Sequence, residues 1–370
     1  MSVTLLHHAV DGAWRRRGVP VGGGNSRESL VYGDFFPEDG VNCGLIDENI
    51  LTPYNSSSAT SVTLPDGAVI ENRIIYGDLR PPSVHNSDII IRNCILAGGS
   101  HIPSFNDGIV NCSANRSGNG KVMIYDSEVR PQRIALNRDG IRGNKWEAHR
   151  VVVRDTIDAF APYAASNING GNADVVIAGC IGEQLRYMYP DYDNGVSGPA
   201  EHSDGTHNDI VQIHGGRNIH VIGCFLNATS LPMDGTGTPS DKPWLVNSGW
   251  ARGACVVSAI DTDVVPDTSV VIERNWLRGG LAHVNIKVYQ EFVFSHNRHF
   301  HETASGSGHS GYWIRYDYRV ASPNHSTIHG VNINGTTTVD NTTNVWWDAP
   351  NAGQPLTTPR PSGVHFNTAP

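Results

Sequence analysis

Short β-branched runs recur along this chain at coil-like spacing. Three seven-residue segments share one frame: Asp88 to Cys94 (DIIIRNC), Asp174 to Cys180 (DVVIAGC) and Asn218 to Cys224 (NIHVIGC). Gly67 to Arg73, Lys121 to Ser127, Arg150 to Thr156, Ser269 to Asn275 and Glu291 to Asn297 fit it too, each with an apolar fourth residue. The starts imply a basic step of about 21 to 24 residues, lengthened by inserted loops, which is the period of a solenoid whose units bury their apolar faces only by stacking. Ile91, Ile124, Val153, Ile177, Val221, Ile272 and Phe294 are therefore expected to point inward and stack.

A second strand precedes the first in several units, with copies at Asp107-Gly-Ile109, Asp139-Gly-Ile141 and Asp209-Ile-Val211-Gln-Ile213. Alternation sends Val211 and Ile213 to one face and Gln212 and His214 to the other. Over residues 61 to 335 this pattern resembles the right-handed parallel β-helix superfamily of pectate lyases, polygalacturonases and bacteriophage tail spikes. The resemblance implies an all-β, single-stranded parallel β-helix, and for a tail spike it implies a homotrimer joined to other phage tail proteins. One fold hosts lyases, hydrolases and pure binders, so the chemistry must be read from the residues.

Residues 1–60 show no clear repeat and read as an N-terminal cap or attachment segment. Residues 336–370, rich in Thr, Asn and Pro, read as an extended C-terminal tail. The start, MSVTLLHHAVDGAWRRRG, lacks the apolar core of a secretory signal, which points to a virion released by lysis, with an extracellular enzyme as the alternative. A net charge of −9 argues against a nucleic-acid partner, and no apolar run is long enough to span a bilayer. Cys94, Cys180 and Cys224 share one ladder position, where parallel side chains favour free core thiols over disulfides.

Candidate chemistry lies on the outward face of the second strand. Alignment places Arg142, Gln212, Asn285 and Trp313 in one column and Asn144, His214, Ser258, Lys287 and Arg315 in the next. Such columns offer donors for sugar oxygens and an indole for a sugar ring, and a cell-surface glycan is the expected ligand. Two inserts flank the strand bearing Gln212 and His214. The first, Glu183 to His207, carries Tyr187, Tyr189 and Tyr192 and the run Glu201-His-Ser-Asp204-Gly-Thr-His207; the second, Asn227 to Arg252, carries Trp244 and Trp250.

For hydrolysis, Asp204 with Glu201 or Glu183 could supply two carboxyl groups. For lyase chemistry, His207, His214, Lys287 or Arg142 could serve as base or cation. Asn285-Ile-Lys287 echoes the RIK segment of polygalacturonases, but that family's paired aspartates are missing, as is the arginine-rich pattern of pectate lyases. A binding-only spike therefore stands beside the enzymes. Asp204, partnered by Glu201 or His207, is the preferred acid or base. The acidic and histidine residues of the first insert lack the spacing of a zinc site, and Asp191-Tyr-Asp193-Asn-Gly195 fails as an EF-hand because Val196 and His202 occupy its key positions. No cofactor is expected, with an irregular Ca²⁺ site the one metal reading left open.

Overall fold

The computed structural model describes residues 27, 30–101, 103, 107–113, 118–135, 138–164, 171–186, 208–228, 255–259, 270–280, 282–286, 292–300, 312–316, 338–339, 343–347, 352–355 and 364–366. The structure is all-β. Its strands form three long parallel sheets of ten, ten and nine strands, and hydrogen-bonded neighbours in each sheet are three strands apart along the chain. One coil thus gives one strand to each sheet: Ile89–Arg92 to the third, Ile95–Gly98 to the first and Asp107–Cys112 to the second. This stacking is compatible with a parallel β-helix.

Short coils close because each turn between the third and first sheets holds a residue at positive φ. Asn72, Asn93, Asp126, Arg150, Gly179, Gly223, Arg274 and His296 occupy that place, with φ between 46° and 62°. Asn, Asp and Gly enter this region most readily, which is why the sixth position reads N or G in the three clearest copies of the frame. Arg150 does so with compensation. Its guanidinium donates to both oxygens of Asp126, at 2.7 and 2.9 Å, and to the Tyr32 hydroxyl at 2.8 Å.

Ile91, Ile124, Ile177, Val221, Ile272 and Phe294 face each other in register along the third sheet, all at 0 % exposure. Each such burial is worth roughly 1.5–3 kcal/mol. Val153 is buried as well, but the frame that placed it in this stack was misassigned. The coil after Lys121–Ser127 enters the third sheet through Trp146–His149, where Ala148 pairs with Ile124 and Ile177. Val153 belongs to the first sheet, opposite Val129 and Gly182. The triple valine run looked more strand-like than WEAH, yet its first residue follows the positive-φ turn at Arg150.

The last frame position lines the turn interior. Cys94, Cys180 and Cys224 are buried free thiols there, and Asn275, Asn297 and Asn344 continue the row as a fully buried ladder. Asn297 Oδ1 accepts the Asn275 N–H at 3.0 Å, Asn344 Oδ1 accepts the Asn297 N–H at 2.9 Å, and the amide nitrogens donate to the Val221, Ile272 and Phe294 carbonyls.

After residue 335 three short segments pair with the sheets. Thr338–Val339, Val345–Trp346 and Val364–Phe366 pair respectively with Val293–Phe294, Arg298–His299 and Ile314–Tyr316, adding a strand to each sheet. Their Thr- and Pro-rich surroundings mask these short apolar pairs in the sequence.

Residues 30–52 run along the flank of the coils. The Gly33 carbonyl accepts from Arg298, the Gly44 N–H donates to the Arg150 carbonyl, the Ile46 N–H donates to Asn93, and the Thr52 N–H donates to the Asn72 carbonyl. Phe36 packs on Phe225 and Trp276, and Cys43 packs on Val152 and Ile181. The segment therefore covers apolar residues on the outer side of the first sheet. Gly223 permits its approach, since a Cβ there would lie 2.3 Å from the Gly33 nitrogen.

Candidate functional site

The second sheet carries the outward face singled out from the sequence. Val110, Ile141, Phe160, Val211 and Val284 form its buried row. One residue further on, the register row reads Asn111, Arg142, Ala161, Gln212, Ser258, Asn285, Arg315 and His365, so all but Ala161 are polar. Arg142, Gln212 and Asn285 share it as expected. Ser258 and Arg315 also belong to it, two residues away from the row first assigned. Trp313 does not, because Ala282 pairs with Tyr312 and Val284 with Ile314, which sets Trp313 opposite the buried His283. Strand starts differ from coil to coil, and a misjudged start shifts a whole row.

Gln212 and His214 lie together, half-buried, with His214 Nε2 2.5 Å from Gln212 Oε1. Arg142 is placed differently from a free cation. It is buried, and its NH1 donates to Asp139 Oδ2 at 2.8 Å. An acidic ladder runs beside it at the start of the strands: Asp139, Asp158 and Asp209 occupy successive coils. The Asp209 N–H donates to Asp158 Oδ1 at 2.7 Å. Asp107 is one residue out of step with them, since it pairs with Arg138 and Gly108 pairs with Asp139.

This ladder is acidic under strain of charge. Burial, then the neighbouring Asp139 and Asp209 carboxylates, push Asp158 well above the usual carboxylate range. Burial also raises Asp139, although Arg142 opposes the shift. In the sequence the only signal of Asp158 is its place two residues before Phe160.

Glu183 accepts from Arg154 Nε at 3.2 Å, and Asn144, expected to point outward, is buried; the remaining proposed site residues divide in two. Tyr187, Tyr189, Tyr192, Glu201, Asp204, His207, Trp244, Trp250 and Lys287 lie outside the described residues. For Trp313 and Arg315 the strand position is described and the side chain is not. The inserts do have fixed points of attachment: residues 187–207 lead into Asn208 and Asp209, and residues 229–254 lead into Cys255, which begins the next strand of the same sheet. Both therefore lead into starts of second-sheet strands, the level at which Asp158 and Asp209 sit.

On the third sheet the outward polar groups satisfy one another. Lys121 Nζ lies 2.9 Å from Glu147 and 2.8 Å from Asp174, and His149 Nε2 lies 3.2 Å from Glu147. His149 and Lys121 together hold Glu147 at about 2 against the opposing effect of its burial. Among the described residues, one group has the spacing of metal ligands: Asp78, His101 and Asp107, with ligand atoms all within 4.8 Å of one another. Turns of different length bring these three together, so the sequence spacing gave no warning of them.

No protein-family model matches the chain, and neither a curated protein nor a solved structure matches it. Function therefore has to be argued from the site. Among the described residues, no helix is long and apolar enough to cross a membrane.

Proposed function

We propose that this protein is a right-handed parallel β-helix of a phage tail, a tail spike or minor tail protein that binds host cell-surface polysaccharide along the outward face of its second sheet. The observation that carries the reading is the polar row from Asn111 to His365, repeated at coil spacing. Neighbouring strands of a sheet lie about 4.8 Å apart, so the polar positions from Gln212 to His365 recur at intervals suited to an extended chain of hydroxyls. The two inserts lead into strands of this sheet and supply Tyr187, Tyr189, Tyr192, Trp244 and Trp250 as candidate stacking partners. A homotrimer and virion attachment belong to this reading.

The reading extends to cleavage through Asp204 as acid or base, with Glu201, His207 or His214 as partner. The other reading is a free bacterial polysaccharide lyase or glycoside hydrolase. Incubation with a panel of bacterial surface polysaccharides separates them. Adsorption without new reducing ends or unsaturated uronate absorbance supports a binding spike. Product release by a monomer supports the free enzyme, and neither adsorption nor release contradicts both.

A further inference from the structure

At the second sheet's early coils, three groups from different turns converge. Asp78 opens the strand Asp78–Arg80, Asp107 opens Asp107–Cys112 one coil on, and His101 lies on the connection between them. Asp78 is fully buried. Its Oδ1 accepts the Gly99 N–H at 2.8 Å, while Oδ2 has no hydrogen-bond partner among the described residues. That second oxygen is aimed at His101 Nε2, 3.3 Å away. A buried carboxylate oxygen left without a hydrogen bond is costly, and its orientation toward two further ligand atoms needs a cause.

We propose that Asp78, His101 and Asp107 form a binding site for a divalent transition-metal cation such as Zn²⁺. Ligands about 2.0–2.1 Å from a tetrahedral zinc lie roughly 3.3 Å from one another, which is the spacing between Asp78 Oδ2 and His101 Nε2. The remaining separations, within 4.8 Å, close by a shift of up to about 1.5 Å at Asp107. An imidazole beside two carboxylates selects zinc-like ions over Ca²⁺ or Mg²⁺, which prefer all-oxygen shells. Three protein ligands also leave a fourth position open to water.

The two nearby arginines fit this assignment. Arg138 is buried and donates to the Gly99, Arg133 and His101 carbonyls, at 2.9, 3.0 and 3.0 Å. It thereby fixes the connection that carries His101, and its closest approach to Asp78 Oδ2 is 3.5 Å. Arg80 donates to both Asp107 oxygens, at 3.1 and 2.9 Å, but its side chain is 42 % exposed and can swing into water when a cation takes Asp107. Asp107 keeps the Gly108 N–H and the Asn111 amide as orienting donors.

The test is calorimetric titration of ZnCl₂ into the chelator-treated full chain, with Co²⁺ as a visible-absorption probe. The site predicts one Zn²⁺ equivalent that is lost in His101→Gln and weakened at least tenfold in Asp78→Asn, with the Co²⁺ bands vanishing in both. His101 is one-third exposed, so His101→Gln decides the matter even if Asp78→Asn fails to fold. Absence of Zn²⁺ binding by the folded wild type, or equal affinity in His101→Gln, would overturn the site. Glycan adsorption by His101→Gln should match wild type, which separates failure of this site from failure of the binding face.

Discussion

Nδ1 of His283 lies 2.8 Å from Nδ1 of His299, the rings are stacked at 5.0 Å, and both residues are fully buried. One ring must offer its proton and the other its lone pair, so the accepting imidazole is neutral. Burial, and then the neighbouring His283, hold His299 well below its ordinary pKa. An unfolded histidine takes up a proton near pH 6.5 and this folded one does not, so the unfolded state binds more protons below that pH. Stability should fall as pH drops from about 6.5, by up to about 1.4 kcal/mol per pH unit for this group. Urea midpoints between pH 7.5 and 5 would show the slope. His299→Leu, which continues the row of Leu226 and Leu277, should flatten it.

Asp158 carries the opposite sign. Its folded pKa is raised, so stability is lost as pH climbs above the unfolded value near 3.9. Asp158→Asn keeps an oxygen for the Asp209 N–H and removes the buried charge. It should stabilise the protein at pH 8 by on the order of 1 kcal/mol, with the gain shrinking toward pH 4. Thermal melts of both proteins at the two pH values check this, and equal or lower stability of the variant at pH 8 would contradict it.

The inward stack gives a positional test. Ile177→Ala should cost about 2–5 kcal/mol in denaturant unfolding, because Ile177 is fully buried between coils. Val69→Ala, at a site 60 % exposed, should stay within about 0.5 kcal/mol. Similar costs at the two sites would refute the register of the third sheet.

Asn297→Ala removes the acceptor for the Asn275 N–H and the donor to the Ile272 carbonyl, leaving both buried. A loss of about 2–4 kcal/mol is expected, and Asn297→Asp should recover only the acceptor half. Unchanged unfolding midpoints in Asn297→Ala would show that the ladder contributes nothing.

The repeat was legible in the sequence where each frame position served one physical need. DIIIRNC, DVVIAGC and NIHVIGC show an inward fourth residue, a sixth residue suited to positive φ and a small buried seventh. Where Ala148 fills the inward place and Arg150 takes the turn, that signal fails, and the VVV run beside them misleads. The polar row was legible around Gln212 through strict alternation. Its extension to Ser258 and Arg315 was not, because lengthened connections erase the register. Asp158, and the meeting of Asp78 with His101, depend on coil stacking and have no local pattern.

The central claim is that the row through Gln212, Asn285 and Arg315 binds glycan. Its most direct test is retention of the full chain on immobilised bacterial surface polysaccharides, wild type against a Gln212→Ala/Asn285→Ala double variant. Wild type should be retained on at least one polysaccharide, and the double variant should lose at least tenfold in affinity while melting at the same temperature. Retention of a folded double variant with wild-type affinity, or no retention of wild type on any member of the panel, would contradict the account.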